Sequence, residues 1–327
     1  MNIRERRAIH NSAAEALNRA SQAKQIALVY AAIICGLSLV STLLSVFLSD
    51  RISGTGGLGN IGLRSVLSTG QSVLPLINFV VTACLTLGYH TAILSFTRGY
   101  DASPRTLADS FRHFGPVLRT TLLRIFIYGG TMIVAVYISS SIFMATPYSE
   151  EFIQVMTPYL ESMTVLSDGL VIDDALLNTV MAAMKPMMWI LAAVSLVLML
   201  PLYYRMRMVD FALADDPARG AIHAVFKSRV LMRRNRFALF RLDLTLWWFY
   251  AAQLLISLVC YGDMLLPMAG VSFPWSDTVS YYLFYVLFLV LQMALYYFGM
   301  NRAYAVYAVA YDALMEQLPQ PELPTQM

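Results

Sequence analysis

A few groups of residues have types and spacings that could do chemistry. Gly54-x-Gly56-x-x-Gly59 matches the glycine pattern that lets a backbone approach a dinucleotide pyrophosphate. The pattern works only between a strand and a helix, whose N-terminus then holds the phosphates. Ser21-x-x-Lys24 could pair a serine nucleophile with a lysine base, but no companion motif accompanies it. The histidines His10, His90, His113 and His223 show no metal-ligand spacing. The three cysteines, Cys35, Cys84 and Cys260, lie in apolar runs without pair spacing. They read as small buried hydrophobes rather than as disulfides or metal ligands. The reading carries no catalytic group, no cofactor and no metal.

The charges are more informative. Asp243 and Arg124 each sit about one turn inside an apolar run. A charge at the centre of a membrane helix costs roughly 2.5–3.5 kcal/mol on insertion scales and needs a partner or water. Arginine is long enough to reach the interface from such a place, whereas aspartate reaches less far. Arg205 and Arg207 leave the preceding apolar run on the same side, so an intramembrane charge clamp of Asp243 with Arg205 or Arg207 is expected.

The second feature is a basic segment with nine lysines and arginines from Arg205 to Arg241. Read as a helix over Pro217–Met232, it places Arg219, His223, Lys227 and Arg234 opposite Ala221, Ala224, Val225, Ser228 and Met232. Ile222 and Phe226 interrupt the division. Such a stripe fits an anionic leaflet, at about 1 kcal/mol per basic residue, or a membrane-protein partner. Aromatic residues spaced for stacking on bases are missing from it, so nucleic acid is not expected.

The elements that position these residues are apolar. Hydrophobic residues make up 58% of the chain and charged residues 13%; soluble domains carry about 25% charged residues. Six runs approach or exceed the roughly 20 residues a bilayer-spanning helix needs, at about 26–48, 73–96, 117–144, 186–208, 239–261 and 279–300. The first run follows about 25 polar residues and lacks a cleavage pattern, which fits an uncleaved span rather than a signal peptide. Sorting basic residues by side puts twenty on one face and three, Arg51, Arg64 and Lys185, on the other. Basic residues collect in the cytoplasm, so both termini are expected there, in a multi-pass protein of the cell membrane. The glycine pattern then falls in an outer loop, and an acidic segment, Thr146–Lys185, lies on the outer side.

Two segments look alike. Ser103–Pro104 follows span two as Asp216–Pro217 follows span four, each reading as an N-cap followed by proline at the first helical position. In the first, Leu107, Phe111 and Phe114 share a face, and Gly115–Pro116 is expected to stop the helix. An in-parallel repeat of two-span units would give this pattern; so would any two hairpins with capped loops.

From Leu200 the string becomes recognisable. Pro201, Tyr203–Tyr204, Asp215–Asp216–Pro217, Ala221, Ser228, Met232–Arg233 and Phe240–Arg241–Leu242–Asp243–Leu244 follow one another in order. With the ending Tyr304–Ala305–Val306–Tyr307–Ala308–Val309–Ala310–Tyr311–Asp312–Ala313–Leu314, the chain resembles a family of polytopic membrane proteins of Gram-positive bacteria defined only as a domain of unknown function. Leu202 and Arg234 stand where that family usually has glycine. The resemblance covers about a fifth of the chain and implies topology, not an activity.

The expected fold is all-α: an integral membrane bundle of six transmembrane helices with short cytoplasmic amphipathic helices. It forms one domain over 1–317 and ends in a disordered tail over 318–327. The expected function is a non-enzymatic protein that organises the membrane or supports a partner. The alternative is a small permease or channel-like transporter component. That needs a polar path, for which the span interiors offer Asn78, Thr82, Ser139, Ser195, Gln253 and Gln292.

Overall fold

The computed structural model describes residues 3–54, 61–165, 174–262 and 277–317. Gly56 and Gly59 of the glycine pattern, Asp168 and Asp173 of the acidic segment, and the tail 318–327 lie outside the described residues. Among the described residues there is no strand, and the chain is all-α. In order it forms α1 (Ile3–Arg19), α2 (Ala23–Gly54), α3 (Ile61–Thr97), α4 (Arg105–Asp109), α5 (Phe114–Met144), α6 (Tyr148–Val165) and α7 (Asp174–Met206). Then come α8 (Val209–Asp215), α9 (Gly220–Met232), α10 (Arg236–Asp243), α11 (Trp247–Cys260), α12 (Asp277–Leu295) and α13 (Asn301–Glu316).

Six stretches are long and apolar enough to cross a bilayer: Ala23–Ser49, Ser72–Thr97, Arg105–Met144, Ala182–Asp215, Arg236–Cys260 and Val279–Glu316. Each overlaps one of the expected spans, and the chain is a multi-pass integral membrane protein. Large apolar side chains point outward along them, as lipid-facing residues must: Phe126 is 75% exposed and Trp189 76%. The fifth stretch is not one regular helix. A 3-10 turn, Leu244–Leu246, separates α10 from the 14-residue α11, and at 1.5 Å per residue α11 alone falls short of the roughly 30 Å hydrocarbon core.

Although one domain is expected over 1–317, the contacts divide the chain into two compact units. One comprises Met1–Thr121 with Met206–Met327, the other Leu122–Arg205. The second unit holds most of α5, all of α6 and α7 up to Arg205. Its turn at Met144 is tied by side chains. Thr146 Oγ1 donates to the Phe143 carbonyl at 2.6 Å, and Ser149 Oγ to the Thr146 carbonyl at 2.8 Å. Phe143 then meets Phe152 edge to face. The expected acidic helical segment starts with Glu150 and Glu151 in the first turn of α6, where the positive end of the helix dipole favours carboxylates.

The larger unit is organised by tyrosines. Tyr30 of α2 and Tyr89 of α3 have ring centroids 4.8 Å apart, and the Tyr30 hydroxyl bonds Thr86 Oγ1 at 3.1 Å. Tyr304 of α13 packs edge-on against both Tyr89 and His90. A buried amide locks the three helices: the Tyr89 hydroxyl donates to Asn301 Oδ1 at 2.6 Å, and Asn301 Nδ2 donates to the Ala23 carbonyl at 3.0 Å. The His90 ring donates from Nδ1 to the Thr86 carbonyl at 2.7 Å. His90 is thus a hydrogen-bonded bundle residue.

The two similar segments fold differently. Neither Ser103 nor Asp216 caps a helix with its side chain: α4 takes Pro104 as its N-cap, and the Asp216 carboxylate is drawn instead to Arg219 at 2.8 Å. Gly115–Pro116 does not stop the first helix. Pro116 lies in the first turn of α5, where its missing N–H costs nothing, and α5 follows directly from a 3-10 turn over Ser110–His113. Leu107 is buried, because α4 rests on Gly88: a Cβ there would come within 2.7 Å of the Leu107 Cα. Phe111 and Phe114 stay exposed. The second helix begins at Gly220 rather than Pro217, after a 3-10 turn over Pro217–Arg219. It has 13 residues against five in α4, so the likeness is confined to the dipeptides.

Candidate functional site: two charge clusters on one tyrosine helix

The site is assembled on α13, which presents Tyr304, Tyr307 and Tyr311 at spacings of three and four residues and so along one face. Tyr307 and Tyr311 are both buried. Each hydroxyl is spent on an aspartate from another part of the sequence.

Tyr307 donates to Asp243 Oδ1 at 2.6 Å. Its oxygen also meets the hydroxyl of Tyr250. Because the Tyr307 proton goes to the carboxylate, Tyr250 must donate to Tyr307. Tyr250 in turn accepts from Arg207 Nη2 at 2.7 Å. The bonds form a one-way chain from guanidinium through two phenols to carboxylate, the arrangement in which successive bonds polarise one another. Arg207 also covers the Tyr307 ring, 4.3 Å from its centroid. The expected clamp partners Asp243 and Arg207 are thus brought to one place, with two tyrosines between them that the sequence reading did not include. Arg205 belongs to the other compact unit, in the last turn of α7.

One turn further along α13, Tyr311 donates to Asp215 Oδ2 at 3.0 Å. The same carboxylate accepts from Lys227 Nζ at 2.6 Å and from Arg98 Nη1 at 2.7 Å. Arg98 also grips Asp312 through Nη2 at 2.7 Å and Nε at 3.2 Å. Two cations and two anions cancel, so no net charge is left half-buried. Hydrogen bonds to Asp312 raise the pKa of Arg98; burial opposes this, and Asp215 adds to it. Local backbone chemistry sets the arginine's place. Gly99, at φ +81°, ends α3 with the paired bonds of Gly99 N–H to the Phe96 carbonyl and Tyr100 N–H to the Ser95 carbonyl. That motif needs a left-handed residue and leaves Arg98 at the negative end of the helix dipole.

This corrects the expected basic surface. Lys227 is 5% exposed and faces inward. At 3.6 residues per turn the stripe Arg219, His223, Lys227 slants across the flank of α9, from outside to inside. Arg219 is exposed, His223 is half-buried and Lys227 lies beside the buried Ala224 and Leu231. His223 accepts from Arg219 at 3.4 Å, and desolvation, then Arg219 and Lys227, lowers its pKa. Its charged form is thereby disfavoured, with Asp216 opposing. Of the expected small-residue face, Ala221, Ala224, Ser228 and Met232 are buried and Val225 is half-buried, and Ser228 Oγ accepts the Met208 N–H at 3.2 Å. The residues that seemed to spoil the pattern form the true outer face. Ile222 (81% exposed) and Phe226 (44%) stand outward within a sector shared by the exposed Arg219, Arg229 and Arg233. Arg234, just past the helix, is exposed as expected.

The six polar residues that could have offered a path each have a partner. Thr82 bonds Asn78 Oδ1 at 3.2 Å, Gln253 and Gln292 exchange amide bonds at 3.1 and 3.2 Å, Ser139 donates to the Ala135 carbonyl, and Ser195 contacts Met132 sulfur. Among the described residues no group of three His, Cys, Asp or Glu could hold a metal ion.

Comparison with known proteins adds no identity: no protein-family model, no curated protein and no solved structure matches this chain.

Proposed function

We propose that the protein is a non-enzymatic component of a cell membrane, with both termini cytoplasmic, which organises the inner leaflet or supports a membrane partner through the outer face of α9. The observation that carries this reading is the sector Arg219–Ile222–Phe226–Arg229–Arg233. Apolar side chains flanked by arginines are the composition of a helix lying in the headgroup plane, and anionic lipid adds attraction at each basic residue. The Asp215 cluster ties α8, α9 and α13 into one platform for that face. The twenty-to-three division of basic residues supports the orientation. The permease alternative receives less support, since Gln253 and Gln292 bond to each other and Thr82 bonds Asn78. Membership of the resembled family is proposed on the sequence motifs alone; among their residues, Asp215, Asp243, Tyr307, Tyr311 and Asp312 lie in the two clusters.

The test uses the full-length protein in nanodiscs with a fluorescent label at residue 222. Brominated anionic lipid should quench the label several-fold more than brominated neutral lipid, and salt should erase the preference, since screening acts over about 8 Å at physiological strength. Changing Arg219, Arg229, Arg233 and Arg234 to glutamine should remove the preference without lowering the melting temperature. Equal quenching by both lipids would reject the surface.

A further inference from the structure

A second feature lies in the membrane-spanning part of the larger unit, away from both charge clusters. Hydroxyls inside these helices mostly bond back to a carbonyl one turn earlier: Thr86 to Thr82, Thr91 to Leu87, Ser95 to Thr91, Thr120 to Pro116 and Ser257 to Gln253. On α2, Ser41, Thr42 and Ser45 depart from this habit. Thr42 donates across to the Tyr285 hydroxyl of α12 at 2.8 Å, and Ser41 accepts a long bond, 3.4 Å, from Asn78 Nδ2 of α3. Ser45, half-buried, has no hydrogen-bond partner among the described residues. All three line a cavity of about 290 Å³ between α2, α3 and α12, together with Asn78, Pro75 and Tyr281. Pro75 lies inside α3. It has no N–H, so the carbonyl four residues earlier loses its helical partner.

The lining is specific in what it offers. It holds three aliphatic hydroxyls, a carboxamide and a phenol, and no charged side chain. A hydroxyl left unbonded beside hydrocarbon is costly, and a ligand that brings its own oxygens would satisfy it. Its place along the helix narrows the choice. The stretch Ala23–Ser49 is about 40 Å long at 1.5 Å per residue and overhangs a hydrocarbon core of roughly 30 Å by about 5 Å at each end, so Ser45 lies near the core boundary and Ser41 about one turn inside it. The neighbouring surface is apolar, with Leu76 (63% exposed) and Ile77 (53%) flanking the opening on α3. The lining offers a charged headgroup no counter-charge, and Arg51, further along α2, is held over the Phe47 ring. A neutral headgroup would exchange hydroxyl and ester bonds with Ser45, Ser41 and Asn78 while its chains lie along α3.

We propose that the cleft of Ser41, Thr42, Ser45, Asn78 and Tyr281 is a binding site for an uncharged, oxygen-rich group, the hydroxyls and ester carbonyls of a neutral glycerolipid or the hydroxyls of a polyol. The site is independent of the α9 surface and of the orientation of the termini.

The experiment uses the full-length protein in a sugar-free zwitterionic detergent. Dioleoylglycerol, a diglucosyl dioleoylglycerol, phosphatidylcholine and phosphatidylglycerol are titrated separately, and retained lipid is counted by native mass spectrometry. One neutral lipid per chain should be held at about tenfold lower concentration than either phospholipid, the discrimination expected from one or two hydrogen bonds. Ser45→Leu, which fills the cleft, should abolish that advantage. The pair Ser41→Ala with Ser45→Ala, which removes hydroxyls without adding bulk, should reduce it several-fold and stands in if the leucine variant does not fold. Excess free glucose sorts the source. Displacement of the neutral lipid assigns the site to polyols in general, and persistence assigns it to the lipid. Equal retention of charged and neutral lipids, or unchanged retention by both variants, would overturn the proposal.

Discussion

Asp215 and Asp243 receive the same donor in different settings. Each accepts a tyrosine hydroxyl from α13, but Asp215 is also held directly by Lys227 and Arg98. In the other cluster the path from Asp243 to Arg207 runs through Tyr307 and Tyr250. The first cluster joins its carboxylate to two cations directly, and the second has a directed chain of phenols between its two charges. A buried ion is stabilised by an opposite ion and becomes a liability without one. A chain of neutral hydroxyls loses about one bond when one member is removed.

The largest effect should follow from Asp215→Ala. It leaves Lys227, 5% exposed, with no carboxylate in reach, at a cost of about 3–5 kcal/mol in denaturant unfolding of the detergent-solubilised protein. Lys227→Ala should cost less, because Asp215 keeps Arg98 and Tyr311. If Lys227→Ala proves silent, the lysine is surface-exposed in solution and the cluster is wrongly drawn.

An intermediate effect is expected from the tyrosine chain. Tyr307→Phe should cost about 1–2 kcal/mol, the scale of a hydrogen bond to a charged group. It should also weaken the coupling of Arg207 to Asp243. A double-mutant cycle on that pair should give an interaction energy in the parent and a smaller one in the Tyr307→Phe background. Identical coupling in both backgrounds would mean that the two charges act on each other without the phenols.

The smallest effect should be one of pH. His10 bonds Thr245 Oγ1 at 2.7 Å, and desolvation, with Arg302 nearby, lowers its pKa below 6.5. A histidine with a depressed folded pKa contributes stability fully present above the unfolded value and lost as pH falls below it. The melting temperature should therefore drop as pH goes from 7 towards 5, and His10→Gln should flatten part of that drop. An unchanged slope in the variant would place the titrating group elsewhere.

The division between sequence and structure follows from what each interaction depends on. Span number, helical class and the buried small-residue face of α9 were legible, because they rest on length, hydropathy and the 3.6-residue period, all local properties. Asp243 and Arg207 could be singled out because charges inside apolar runs are conspicuous. The intervening phenols could not, since tyrosine is common near the ends of spans; only the three- and four-residue spacing of Tyr304, Tyr307 and Tyr311 hinted at a shared face. Lys227 was misplaced for a related reason. Its position on the α9 wheel is on the flank, and whether a flank residue turns in or out depends on what waits there. What waits is Asp215, at 2.6 Å, brought by α8, with Arg98 from the end of α3. The residue types thus set which segments enter the bilayer and which faces seek cover. Tertiary structure decided which charges met, because a lysine is buried only where a carboxylate from elsewhere in the chain compensates it.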